Sequence, residues 1–286
     1  MQGGSLKHFL QLHLIVFIWG FTAILGKLIS IDSIPLVWYR MLLAVLFVLF
    51  YFLIKKKRFA VDSKSLLKFI LTGTIIALHW IAFFEAIKVS TVSIALVTMS
   101  TGAFFTSLLE PLFFKRRIKT IEIILGLLVI GGLYIIFNFE TQYSLGIFYA
   151  LIASFLSALF SVLNGLFVKK NDAEVISFYQ LLFGVVFVTI FLLFTNGFTT
   201  EFFILSNSDW FYLVILSSIC TAYAFIVSVK VMKFLTPYTV ILTMNLEPIY
   251  AIVLALLIFG DKEKMKPEFY YGAFIVLFVV LLNGVI

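Results

Sequence analysis

Long apolar runs alternate with short polar joints along the entire chain. Ten runs stand out, at 9–29, 35–54, 66–87, 90–114, 120–139, 144–167, 175–195, 208–232, 236–259 and 268–286. Each holds about 20 residues, enough to cross a hydrocarbon core of ~30 Å as a helix. Runs such as Leu42 to Leu53 and Phe183 to Phe194 show no apolar-polar alternation, which a membrane β-barrel strand requires. With no water in the bilayer core, each backbone must satisfy its own hydrogen bonds, and helices do so. The pattern predicts an all-α polytopic membrane protein. Ser33 with Pro35, Thr236 with Pro237, Pro267 with Glu268, and Ser208-Asp209 before Trp210 mark helix starts, placing a cap or a proline where a first turn tolerates it.

Composition agrees. The mean hydropathy is +1.17, with 63% hydrophobic and only 12% charged residues, against the ~25% charged residues of a soluble domain. A net charge of +7 raises the question of nucleic acid. The basic residues, however, sit in joints with no interleaved stacking pattern, so they read as topology signals and no nucleic-acid partner is expected. Fifteen of them share the side of the N-terminus and of the joints after runs 2, 4, 6 and 8, and five lie opposite. The positive-inside rule then puts both termini in the cytoplasm, and the expected location is a bacterial inner membrane. The first run passes through Trp19, Thr22 and Gly26 without a small-residue cleavage site, so it reads as a retained span. Cys220 is the single cysteine, which excludes an intramolecular disulfide or a cysteine metal cluster.

The second half can be laid over the first. Lys88 to Met99 matches Lys233 to Met244 without a gap, which pairs Val97-Thr98-Met99-Ser100 with Leu242-Thr243-Met244-Asn245. Upstream, Trp38-Tyr39-Arg40 pairs with Phe178-Tyr179-Gln180, and Gly26 and Gly126 fall near Gly165 and Gly272. Two units follow, 1–139 and 140–286, with five spans each. An odd number forces the second unit to enter from the other side, the inverted-repeat plan of many secondary transporters.

Trp19-Gly20 in the first run, Arg40 in the second and Glu247-Pro248 in the ninth resemble the motifs of the drug/metabolite transporter superfamily, specifically its EamA-like members. The resemblance covers essentially the whole chain. It implies a secondary carrier of amino acids or other small metabolites, often working outward. The chain departs from the pattern in its first unit, where Gly102-Ala103 stands opposite Glu247-Pro248, and where basic Lys115 and Arg116 stand opposite the acidic residue matched by Asp261.

Ionisable groups within spans are costly and usually face a cavity or a partner. Glu247 lies at the middle of the ninth run beside Asn245, and Pro248 removes a backbone donor and frees carbonyls there. Glu247 is therefore the candidate for proton coupling as well as for substrate binding, with a purely structural carboxyl as the rival reading. His79 and Trp80 sit mid-span in the third run; the histidine either serves substrate or protons, or bonds a backbone carbonyl. Arg40, about 7 Å below the outer end of its run, offers a planar fork to an anion. It could equally snorkel outward or pair with Glu85. Trp19, Ser100, Asn164, Tyr179 and Tyr223 complete the candidate binding set. Stripes of small and hydroxylated residues on runs 1, 4, 6, 8 and 9 suggest, with run 3, the walls of a path. Runs 5 and 10, poor in polar groups, are expected to face lipid or a second subunit in a homodimer.

Asp32, Asp62, Asp172, Asp209 and Asp261 are scattered through joints, which leaves no paired-aspartate metal site. Neither a nucleotide-binding glycine loop, a two-histidine zinc helix nor a nucleophile elbow is found. The expectation is a non-enzyme without cofactor or metal, driven by solute or ion gradients. A channel, a receptor-like protein and an uncoupled uniporter are the alternatives; a lone buried carboxylate without a filter-like loop speaks against a channel.

Overall fold

The structure, a computed structural model, describes residues 6–57, 59–117 and 120–285. Its helices are α1 (Leu6–Leu28), α2 (Ser33–Lys55), α3 (Ser63–Val89), α4 (Val92–Met99 and Gly102–Phe114), α5 (Thr120–Phe139), α6 (Ser144–Phe167), α7 (Ala173–Phe194), α8 (Asn207–Val231), α9 (Pro237–Met244 and Glu247–Phe259) and α10 (Pro267–Val285). Eight are long and apolar enough to cross a bilayer, and α5 and α10 carry the shorter apolar helices Ile124–Phe139 and Pro267–Val279. No strand occurs among the described residues. The protein is an all-α polytopic membrane protein. Asp62, Thr91 and Thr236 cap α3, α4 and α9 through side-chain oxygens. The cap of α8 is Ser206, whose hydroxyl accepts the Asp209 N–H, two residues ahead of the expected Ser208.

The helix packing maps onto itself when α1–α5 exchange with α6–α10. The pair α1 with α9 mirrors α6 with α4, α2 with α8 mirrors α7 with α3, and α1 with α8 mirrors α6 with α3. The pairs α2–α7, α4–α9 and α5–α10 are each their own image. Two inverted five-helix repeats produce this arrangement, because an odd span count turns the second repeat over.

Small residues permit the close contacts. A Cβ on Gly132 would stand 3.0 Å from the Gly272 carbonyl, and one on Gly272 would stand 2.8 Å from that of Gly132. Without a hydrophobic driving force between helices in lipid, such close backbone approach is what holds α5 to α10. Their contact builds a second apolar cluster around Val129, Ile136, Phe269 and Val276, separate from the main core. Their other faces, with Leu127, Tyr134, Tyr271 and Phe274, are exposed.

Helices α4 and α9 break at matching places in the repeat register, after Met99 and after Met244. In α9, Pro248 has no N–H to give the Met244 carbonyl, and the Asn245 and Leu246 N–H groups turn to Leu242 and Thr243 three residues back. In α4 the polar side chains draw carbonyls off the ladder. The Thr101 hydroxyl donates to Thr98 O at 2.8 Å, and Ser154 of α6 donates to Met99 O at 3.0 Å.

Candidate functional site

Between the two repeats lies a central cavity with about 750 Å³ of unfilled space, including its mouth. Its walls come from α1, α3, α4, α6, α8 and α9, as expected, and from α2 through Arg40. Trp19, Arg40, His79, Trp80, Asn164 and Glu247 all line it. Ser100 and Asn245 line a smaller adjoining cavity of about 320 Å³, whose wall again includes Glu247.

A π-helical turn over Ser218–Tyr223 in α8 organises the centre. Widening the turn takes carbonyls out of helical register, a feature often found at functional sites. One of them, Cys220 O, accepts the Trp19 indole N–H at 3.0 Å. The Thr221 hydroxyl donates five residues back to Leu216 O at 2.7 Å, and its oxygen accepts Arg40 Nε–H at 2.7 Å. Arg40 is therefore drawn inward and is only 2% exposed. It neither snorkels nor pairs with Glu85, which accepts the Ser33 hydroxyl at 2.5 Å. The guanidinium carbon stands 3.9 Å from the centre of the Trp80 ring, a desolvated cation–π contact. Arg40 Nη1 is buried with no hydrogen-bond partner, and no carboxylate among the described residues forms an ion pair with it.

The polar groups around it divide into committed and open ones. The His79 Nδ1 faces Ala153 O at 2.7 Å; a carbonyl only accepts, so Nδ1 carries the proton and Nε2 remains the acceptor. Asn164 Oδ1 accepts Gln180 Nε2–H at 2.6 Å, and Gln180 also donates to Thr72 at 2.8 Å. The amide Nδ2 atoms of Asn164 and Asn245 are buried and unpartnered. Glu247 begins the second half of α9, where a half-helix N-terminus favours negative charge.

Two aromatic candidates lie elsewhere. Tyr179 donates its hydroxyl to Phe59 O at 2.9 Å and stacks on Phe69 and Phe183, so it ties α7 to the joint before α3. Tyr223 ends the π turn and is 47% exposed, which directs it outward. An apolar helix surface gives no periodicity from which either orientation could be read. Conversely, Phe83, Phe160 and Phe225 are aromatic walls of the cavity, and Thr221 acts on it through Arg40; in the sequence Thr221 is only one of several hydroxyl residues along run 8.

The cavity leans toward one end of the bundle, reaching Met232 and Val240 where α8 gives way to α9. The opposite end is closed by buried carboxylates acting between repeats. Asp209 of α8 accepts the Ser30 N–H and hydroxyl, both at 2.7 Å. Glu263 accepts the N–H groups of Val92 and Ser93 at 3.1 Å, capping the start of α4. Within the first repeat, Lys88 donates to Ile29 O at 3.1 Å at the same end. At the cavity's own end Lys57 bonds Glu174 at 2.7 Å, Glu110 accepts the Tyr238 N–H at 2.9 Å, and Tyr179 reaches Phe59 O at 2.9 Å. The hydrogen bond to Glu174 holds the Lys57 ammonium above its ordinary pKa.

Sequence and structure comparisons agree with this plan. An uncharacterized transporter of Archaeoglobus fulgidus is 23% identical over 203 residues, covering 71% of this chain and 69% of that protein. A solved structure, described as "Crystal structure of protein", superposes with a TM-score of 0.71 at 14% identity, over 97% of this chain and 96% of its own, and so shares the fold. The model of the EamA-like transporter family matches residues 7–138 and again 144–285. The chain, built as two such repeats around a membrane-embedded cavity, is a transporter that belongs to the EamA-like transporter family.

Proposed function

We propose that this transporter is a secondary active carrier of a small zwitterionic metabolite of the amino-acid class, moved out of the cytoplasm by alternating access. One observation carries the substrate class. The buried Arg40 guanidinium is fixed by Thr221 and Trp80 while its Nη1 has no protein partner. A buried cation left unpaired costs several kcal/mol, and a carboxylate from the substrate offsets that cost through a charge-assisted hydrogen bond. Glu247 lines the same cavity and supplies a place for the substrate's ammonium group. The cavity's aromatic walls suit a small organic solute.

The transport cycle rests on the repeats at 1–139 and 140–286 as the rocking bodies, with the broken helices α4 and α9 as their flexible joints. The basic-residue asymmetry places the open end on the cytoplasmic face of a bacterial inner membrane and the Asp209–Ser30 and Glu263–α4 contacts on the external face. In this reading the structure is the inward-open state. Opening outward breaks those contacts, and Glu247 exchanges its proton between the two faces to couple export to the proton gradient. Competition among amino acids, their carboxamides and the corresponding amines for binding to the purified protein tests the substrate class. Binding by the free amino acids alone supports it, and equal binding by the carboxamides overturns it.

A further inference from the structure

A second large concavity lies away from the transport cavity, among the start of α3, the end of α4 and the end of α6. It holds about 1,030 Å³ of unfilled space, including its mouth. Its walls are apolar, formed by Leu71, Phe113, Leu163, Leu166 and Phe167, and its rim carries Lys68, Lys169 and Lys170. No acidic residue lines it among the described residues. Lys68, Lys169 and Lys170 are exposed, and none forms an ion pair with a carboxylate among the described residues. Lys169 lies 4.6 Å from the centre of the Phe114 ring, which holds its charge at the groove's edge. Ser65, also on the rim, has committed its hydroxyl hydrogen to Asp62 at 2.6 Å.

The flanking surface shows what fills such a groove. Leu67, Leu71 and Leu112 are 69%, 61% and 72% exposed, as lipid-facing side chains of a membrane-spanning helix must be. The groove therefore continues the hydrocarbon-facing surface, and its apolar floor suits an acyl chain. Lys169 and Lys170 follow the end of α6 and Lys68 lies in the second turn of α3, so all three sit toward the same end of the bundle. An excess of positive charge there selects negative headgroups, and the same end carries the chain's excess of lysine and arginine, which the positive-inside rule assigns to the leaflet facing the cytoplasm.

We propose that this groove is a binding site for one anionic phospholipid, with its phosphate among Lys68, Lys169 and Lys170 and an acyl chain against Leu71, Leu163 and Phe167. The bound lipid would fill a gap between α3, α4 and α6, helices that also wall the transport cavity, so its occupancy bears on the stability of the whole bundle.

Native mass spectrometry of the detergent-purified full chain tests this with phosphatidylglycerol and phosphatidylcholine of identical acyl chains, and with glycerol 3-phosphate as the soluble headgroup. Phosphatidylglycerol should bind in preference to phosphatidylcholine, with glycerol 3-phosphate not retained. The preference should fall about fivefold for each lysine removed in Lys68→Gln and Lys170→Gln. It should survive in Lys55→Gln with Lys56→Gln, which removes charge from the same end outside the groove. Equal retention of the two lipids, an unchanged preference in the groove variants, an equal loss in the control variant or retention of glycerol 3-phosphate would each overturn the proposal. Leu163→Trp, which fills the floor without touching charge, should lower retention of phosphatidylglycerol; unchanged retention would contradict an acyl chain seated there.

Discussion

The Arg40 guanidinium carbon lies 3.9 Å from the centre of the Trp80 ring, while Thr221 holds its Nε from the side at 2.7 Å. The plane of the fork is fixed by two helices, α3 and α8, and only the Nη edge remains to be shared with a ligand. Arg40→Lys keeps the charge but loses both the fork and the stacking. The expected outcome is a rise in the KM for transport of about tenfold or more, from the ~1.5–3 kcal/mol of a charged hydrogen bond. Trp80→Phe should be milder than Trp80→Leu, because a smaller aromatic face still supports the guanidinium. Initial rates in proteoliposomes, normalised to folded protein by size-exclusion chromatography, check the order.

Glu247 stands at the break of α9 with Pro248 behind it. If its carboxyl carries the coupled proton, Glu247→Gln should still bind substrate and fold, yet no longer accelerate transport when a pH difference is imposed. A carboxyl that serves only packing predicts a glutamine variant that follows the gradient as the parent does. Flux at matched and unmatched pH separates the two.

The contacts of Asp209 with Ser30 and of Glu263 with the start of α4 seal one end of the cavity. A cysteine at Ser161, in a Cys220→Ser background, should react with an impermeant maleimide from the cytoplasmic side only. Adding Asp209→Asn and Glu263→Gln weakens charge-assisted bonds between the repeats and should open labelling from the external side by several-fold. Cysteines at Lys57 and Lys264 report which face each joint occupies and should label from opposite sides.

Adjacent glycines in α5 predict opposite outcomes. A Cβ on Gly131 meets nothing within 4 Å, while one on Gly132 meets Val276 at 2.8 Å and the Gly272 carbonyl at 3.0 Å. Gly131→Ala should be neutral or stabilising by up to ~1 kcal/mol through helix propensity. Gly132→Ala should force α5 from α10 and destabilise by ~1–3 kcal/mol. Melting temperatures in detergent check the sign of each.

Much of this arrangement is legible in the chain. The ten spans follow from run length alone, because lipid admits few other solutions, and the break in α9 follows from Pro248. The matching break in α4 has no proline; it depends on Ser154 of α6 reaching Met99 O, a tertiary contact that local sequence does not encode. Arg40 shows the same limit. Its charge within a span marks it as a candidate, but its inward direction comes from the π turn of α8, and nothing in Ser218 to Tyr223 announces a widened turn. Tyr179 and Tyr223 mislead because aromatic residues on a wholly apolar helix carry no sign of which face they occupy.

The most direct test of the account is counterflow in proteoliposomes of free amino acids against the same compounds as carboxamides, for the wild-type protein and for Arg40→Gln. The wild-type protein should carry the free carboxylates at least about tenfold faster, and Arg40→Gln, folded and inserted to the same extent, should lose that discrimination. Equal flux of acid and amide through the wild-type protein, or undiminished discrimination in Arg40→Gln, would contradict it.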